Sequence, residues 1–278
     1  MRAKILLLTM LMAVVAFASD SDSTRLTREK AVLLCSEAEA YFHEANEIRQ
    51  RDPAQAVVLC RKAAARYERV LKDSDLKNAR VYYNLANVYF RMDDLGRAIL
   101  NYRRALLLDP NDGKLRQNLQ YARARRNDQF QESEQARILK TLFFWHYDLR
   151  LSLRQKLFSV FFVLFWLNAI LLLYNTKAAW RVTLLLLLIL SLSTGSSILI
   201  SLRNMHKQQY GVIVAAQSMP RKGDSESYAP SFAEALHAGC EFKLLQRRKT
   251  WSEVELPDGQ SCWLQNKDIE MLLPPDKE

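Results

Sequence analysis

Apolar positions along the chain change their period at two places, and each change predicts a different kind of element. From Thr27 to Lys140 they recur at helical spacing, sharpest at Tyr82, Leu85 and Tyr89, with Ala86 beside them on the same face. Asp93-Asp94 and Gly96 predict a turn after that helix. Ala98, Tyr102 and Ala105 predict a second helix face, and Pro110 its end. A looser copy precedes it, with Tyr41, Phe42, Ala45 and Asn46 on one helix and Ala63, Tyr67 and Val70 on the next, separated by a longer gap. A third helix runs from Gly113 to about Asp128 through Asn118, Leu119 and Ala122. Its Arg123, Arg125 and Arg126 predict a solvated capping face.

Polar residues then vanish from two runs. Leu157–Tyr174 is 18 residues without a charge and Val182–Leu202 is 21. A membrane-crossing helix needs about 20 apolar residues, so the expectation is two transmembrane helices, 157–174 and 182–202, joined by the loop 175–181. A juxtamembrane interfacial segment, 141–156, carries Phe143, Phe144, Trp145 and Tyr147 at the position of an aromatic belt. Ser191 with Gly195, and Ser193 with Ser197, repeat at i, i+4 and predict close helix approach. Residues 1–18 have the form of a secretory signal: Arg2 and Lys4, an apolar stretch from Ile5 to Val15, then Ala16-Phe17-Ala18. An uncleaved anchor helix is the alternative. A cleaved signal would put both soluble parts outside the cytoplasm. The positive-inside count points the other way, because Lys177 and Arg181 in the loop are outnumbered by Arg150, Arg154, Lys156, Arg203 and Lys207 on the flanks.

Residues 209–272 switch to short runs separated by turn signals: Val212–Val214, Phe242–Leu245, Trp251–Leu256 and Cys262–Leu264, with Pro257-Asp258-Gly259 as a tight hairpin turn. A small barrel is expected, followed by a tail, 273–278. Gly223, Gly239, Trp251, Gly259 and Trp263 resemble the signature of the bacterial SH3-like domain, with Cys262 where a glycine usually precedes the last tryptophan. The resemblance implies binding of cell-wall peptides or proteins. Core tryptophans in a barrel that only packs or spaces are the plainer alternative.

Charge sharpens this division. The chain carries a net +10, and cutting at residues 18, 140 and 208 gives pieces of +2, +5, +6 and −3. The basic excess lies beside the apolar runs, which argues against nucleic acid as a partner. Seven scattered glycines leave no Gly-rich phosphate loop, and four scattered histidines leave no metal spacing. No catalytic group, cofactor site or metal site is expected, and the protein is read as not an enzyme. Among the four cysteines, Cys240 and Cys262 lie in strands of one small domain and are the candidates for a disulfide; buried free thiols are the alternative. Cys35 and Cys60 would stand roughly 14 Å apart in a simple helical hairpin at about 1.5 Å per residue, beyond bonding reach.

The residues 79–112 have the spacing of a tetratricopeptide repeat, two antiparallel helices in about 34 residues, with Tyr82, Leu85, Ala86, Tyr89, Ala98, Tyr102, Ala105 and Pro110 as its signature. The expectation is a multi-domain chain: a helical repeat domain over 19–140, a two-helix transmembrane hairpin, and a small all-β SH3-like barrel. Stacked repeats hold partners along a groove, for which Asn46, Asn84 and Asn87 are the candidates. The basic partners of a carboxylate clamp are missing, since Phe42, Gln117 and Tyr121 stand in the matching places. The order of parts resembles the tetratricopeptide members of the Bat family, from the bacterial aerotolerance operon. That resemblance implies an inner-membrane scaffold in an envelope complex linked to oxidative stress or envelope maintenance. It also implies partners among von Willebrand A-domain membrane proteins of the same operon. An envelope sensor or receptor for peptidoglycan, and a periplasmic assembly chaperone, are the alternatives.

Overall fold

The computed structural model describes residues 25–130, 134–147, 149, 151–174, 177–207 and 209–273. The expected signal, 1–18, and the tail after Leu273 lie outside the described residues. The chain divides into two compact units, Met1–Asp94 and Leu95–Glu278. This division differs from the expected one: it falls inside the repeat, and the repeat's second helix belongs with the C-terminal strands.

Among its described residues the first unit holds three helices, α1 (Arg28–Ile48), α2 (Pro53–Asp73) and α3 (Ala79–Arg91). Each starts at a side-chain cap that satisfies an otherwise unpaired N–H. Thr27 accepts from the amide of Lys30, Asp52 from that of Gln55, and Asn78 from that of Val81. Pro53 follows the second cap, where its fixed φ suits a first helical turn. Both α1 and α2 are 21 residues long, which explains the long gap in the looser copy. Their seam is lined with small residues: Ala31, Ala38 and Ala45 recur every seventh position on α1, and Ala56, Ala63 and Ala64 are buried on α2. Alanines at a seam let two helix backbones approach closely, as small residues do wherever helices pack tightly.

The second unit begins with α4 (Leu95–Leu108) and α5 (Gly113–Ala124). Gly96, expected in the turn, is instead a buried residue of α4. The turn is made by Met92–Asp94, with Asp93 in the left-handed region at φ 61°. A Cβ at Gly96 would stand 2.7 Å from the carbonyl oxygen of Ile213 and 2.9 Å from the Cα of Val214. The helix therefore lies directly on β1 (Tyr210–Ile213), the first strand of the C-terminal sheet. The other strands are β2 (Gln217–Ser218), β3 (Leu236–His237), β4 (Glu241–Arg247), β5 (Trp251–Glu255), β6 (Ser261–Gln265) and β7 (Ile269–Met271). Five of them form an antiparallel sheet in the order β6-β5-β4-β1-β7, and β2 pairs with β3. The β5–β6 hairpin turns at Pro257-Asp258-Gly259 as expected: Gly259 adopts φ 88° and its N–H donates to the carbonyl of Leu256. Arg221 bridges Trp263 at the β6 edge. Ile213, Phe242, Val254, Leu256, Leu264 and Met271 form the core of the sheet.

Cys240 and Cys262 are free thiols buried in that core, the alternative to the candidate bridge. The strand order gives the reason: Cys262 faces Val254 of β5, and β5 separates β6 from β4, the strand that follows Cys240. Burial pushes the Cys262 thiol up to about 12. Cys35 and Cys60 are free as well, as their expected separation required.

Between α5 and β1 the chain forms α6 (Glu134–Leu142), the single turn α7 (Phe144–Tyr147), α8 (Leu151–Tyr174) and α9 (Ala178–Lys207). By length and composition α8 and α9 are each able to cross a membrane, with mean hydropathy 2.3 and 2.2 in their apolar windows. They pair with each other, and the buried face of α9 is Ser191, Thr194 and Ser197. Gly195 of the expected stripe is set against the ring of Phe158 on α8, and Thr194 joins Ser191 and Ser197 on the same face. Arg154, counted from sequence as a flanking charge, is buried there and donates to Ser197 Oγ at 2.8 Å and Ser201 Oγ at 2.9 Å. A guanidinium buried between two apolar helices needs such acceptors, because an unpaired charge in that setting is costly.

Candidate protein-binding elements

Of the eight repeat-signature residues, six (Leu85, Ala86, Tyr89, Ala98, Tyr102 and Ala105) are buried. Tyr82 is half-buried and Pro110 exposed. The motif positions thus supply core, as the physical reading of their spacing requires, and not the binding surface itself.

The three candidate asparagines differ. Asn46 is exposed and its amide turns back to donate to the carbonyl of Phe42 at 2.9 Å, four residues earlier on its own helix. Asn84 is half-buried between helices: Nδ2 donates to Glu39 Oε1 at 3.1 Å and to the Tyr67 hydroxyl at 3.4 Å. Burial pushes the Tyr67 phenol far above its usual range, with the charge of Glu39 adding to the effect, so the hydroxyl stays neutral. Arg80 reaches the same Glu39 at 3.7 Å. Asn84 therefore ties α1, α2 and α3 together. Asn87 is half-buried and already engaged. Replacing Asn84 by alanine is expected to destabilise the protein by about 1–2 kcal/mol, because partners at a helix junction lose their donor. Replacing Asn46 is expected to cost less than about 0.5 kcal/mol. Urea unfolding of the two variants measures both.

Sequence reasoning missed a cluster of charged side chains around Glu241. Arg123 of α5 forks onto Glu241 of β4, Nε to Oε2 at 2.7 Å and Nη2 to Oε1 at 2.8 Å. Arg103 of α4 approaches Oε1 at 3.2 Å and Arg126 approaches Oε2 at 3.7 Å. Burial alone would raise the Glu241 pKa, yet the three guanidiniums outweigh it and hold the carboxyl below its ordinary range. Arg103 also lies 5.7 Å from the ring centre of Tyr210. Next to it, Arg104 donates to the carbonyls of Met271 at 2.8 Å and Leu272 at 3.1 Å. Beyond α5, Asp128 accepts from the backbone N–H of His237 at 2.6 Å and meets its Nδ1 at 2.8 Å. The basic end of α5 is thus not a solvated cap: Arg123 and Arg126 converge on the sheet, while Arg125 is exposed. No periodic signal links these residues, since their partners are far away in sequence. The one local sign is the adjacent pair Arg103-Arg104 on α4.

Among the SH3-like signature residues, Trp251 and Trp263 are buried, with Arg248 over the Trp263 ring at 4.8 Å. Gly239 adopts φ 91°, at the close approach to Ile99 and Arg126. Gly223 packs under the ring of Tyr228.

Residues 79–112 match the family model of the tetratricopeptide repeat. No curated protein matches the chain closely enough to count as a relative. A repeat of this kind points to protein–protein interaction as the function of the helical part.

Proposed function

We propose that the protein is a non-enzymatic scaffold, anchored in the bacterial inner membrane by α8 and α9, that gathers protein partners outside the cytoplasm. The observation that carries this reading is the match of residues 79–112 to the tetratricopeptide repeat, six of whose eight signature residues are buried. The two apolar helices supply the anchor. The resemblance to the Bat family adds a membrane complex with von Willebrand A-domain proteins and a role in oxidative-stress tolerance or envelope maintenance. The C-terminal sheet is read as the SH3-like part of the same assembly, packing or spacing rather than displaying its tryptophans.

Affinity isolation of the full chain from membranes in mild detergent tests this. The expected result is one or two membrane proteins retained in near-stoichiometric amount, among them a von Willebrand A-domain protein. Many substoichiometric clients would point to a chaperone. Retention on isolated murein that requires residues 209–272 would point to a peptidoglycan receptor. Either outcome would displace the scaffold reading.

A further inference from the structure

The helix–sheet junction of the second unit contains more positive charge than its own fold uses. One guanidinium, that of Arg123, already satisfies Glu241 with a two-bond fork. Arg103 and Arg126 are added to the same carboxylate, so three positive charges share one negative one. Three guanidiniums carry roughly fifteen N–H donors, whereas a carboxylate offers about four acceptor positions. Holding like charges together in a partly dehydrated setting is costly unless further acceptors are supplied.

Arg103, Arg123 and Arg126 line a cleft of about 620 Å³, with Arg126 Nε already donating to the Arg123 carbonyl at 3.2 Å. Lys243 also lines it but is neutralised by Glu255 at 3.1 Å. The rest of the wall is aromatic and apolar, from Tyr210, Phe130, Leu256 and Pro257. Such a wall has no use for a small hydrated ion but suits the side chains flanking an acid in a polypeptide. The guanidinium fork matches a carboxylate, as Arg123 demonstrates on Glu241.

We propose that this cleft is a carboxylate-binding site, with Arg103 and Arg126 receiving an acidic side chain from a partner polypeptide. The proposal deepens the protein-binding reading by naming the chemistry of the partner segment, and it is independent of which side of the membrane the cleft faces.

The test is anisotropy of a fluorescein-labelled peptide, Leu-Glu-Leu-Glu-Leu-Glu, added to the full chain in neutral detergent, with empty micelles as the blank. A second peptide carries glutamine in place of each glutamate. The expected result is saturable binding of the glutamate peptide, about tenfold weaker for the glutamine peptide and about tenfold weaker for Arg103→Gln and for Arg126→Gln. Both variants leave the Arg123–Glu241 fork in place, and their thermal midpoints are recorded alongside. If both unfold, the comparison of the two peptides on the wild-type chain decides alone. No binding, equal binding of the two peptides, or unchanged affinity in folded variants would overturn the proposal. Displacement by inorganic phosphate well beyond that by acetate at equal ionic strength would assign the cleft to phosphate and overturn the carboxylate assignment. A stable complex isolated from membranes together with a silent peptide titration would sink this site while leaving the scaffold standing.

Discussion

Gly96→Ala is expected to lower the stability of the second unit by about 2 kcal/mol. Alanine is favoured over glycine inside a helix by about 1 kcal/mol, so intrinsic propensity alone would predict a gain. The new methyl, however, would sit 2.7 Å from the Ile213 oxygen and 2.9 Å from the Val214 Cα. Both neighbours are backbone, so neither can rotate away as a side chain would. Either α4 lifts from β1 or the strand is displaced, and overpacking of this kind costs about 1–3 kcal/mol, here at the upper end. The natural control is Gly113→Ala at the start of α5, where no atom lies within 4 Å of the new methyl. That change is expected to be neutral or slightly stabilising. Urea unfolding of the full chain in detergent, followed by tryptophan fluorescence, distinguishes them; equal midpoints would show that the helix does not rest on the strand.

The second large effect concerns Glu241. Glu241→Gln removes the only negative charge bonded by Arg103, Arg123 and Arg126 among the described residues. Breaking a largely buried ion network from one side costs about 3–5 kcal/mol, because the remaining charges lose their counter-ion. The pH dependence follows from the direction of the shift. The folded carboxyl is held below its ordinary value of 4.5 by the three arginines, against the opposing effect of burial. Its stabilisation is therefore complete above about pH 4.5 and is lost as pH falls through the lower folded value. The difference in unfolding free energy between wild type and Glu241→Gln should be full at pH 7 and shrink only in acid. A difference that stayed constant down to pH 3 would mean that the charge of Glu241 does not matter.

These two positions also show where sequence reading stops. The repeat at 79–112 was legible because its information is local: Tyr82, Leu85 and Tyr89 mark one face and Ala98 the small position of the next helix, all within one period. The same holds for the apolar helices and for the Pro257-Asp258-Gly259 turn. Glycine after Asp93-Asp94 is a strong local turn signal, and only the distant strand β1 gives Gly96 another role. For the arginines at the end of α5, periodicity reports which face is polar, not what meets it. β2, β3 and β7 were missed because strands of two or three residues carry no alternation to detect. Presence in one small domain makes Cys240 and Cys262 candidates for a bridge, whereas the strand order puts β5 between β6 and β4.

The proposed location of both soluble parts outside the cytoplasm decides on which side the scaffold's partners are to be found, and a reporter active only outside the cytoplasm tests it directly. Fused in separate chains after Lys140 and after Glu278, it should be active at both positions, since α8 and α9 would return the chain to the side from which it entered. Inactivity at both would place the repeats and the sheet in the cytoplasm and contradict the scaffold as proposed.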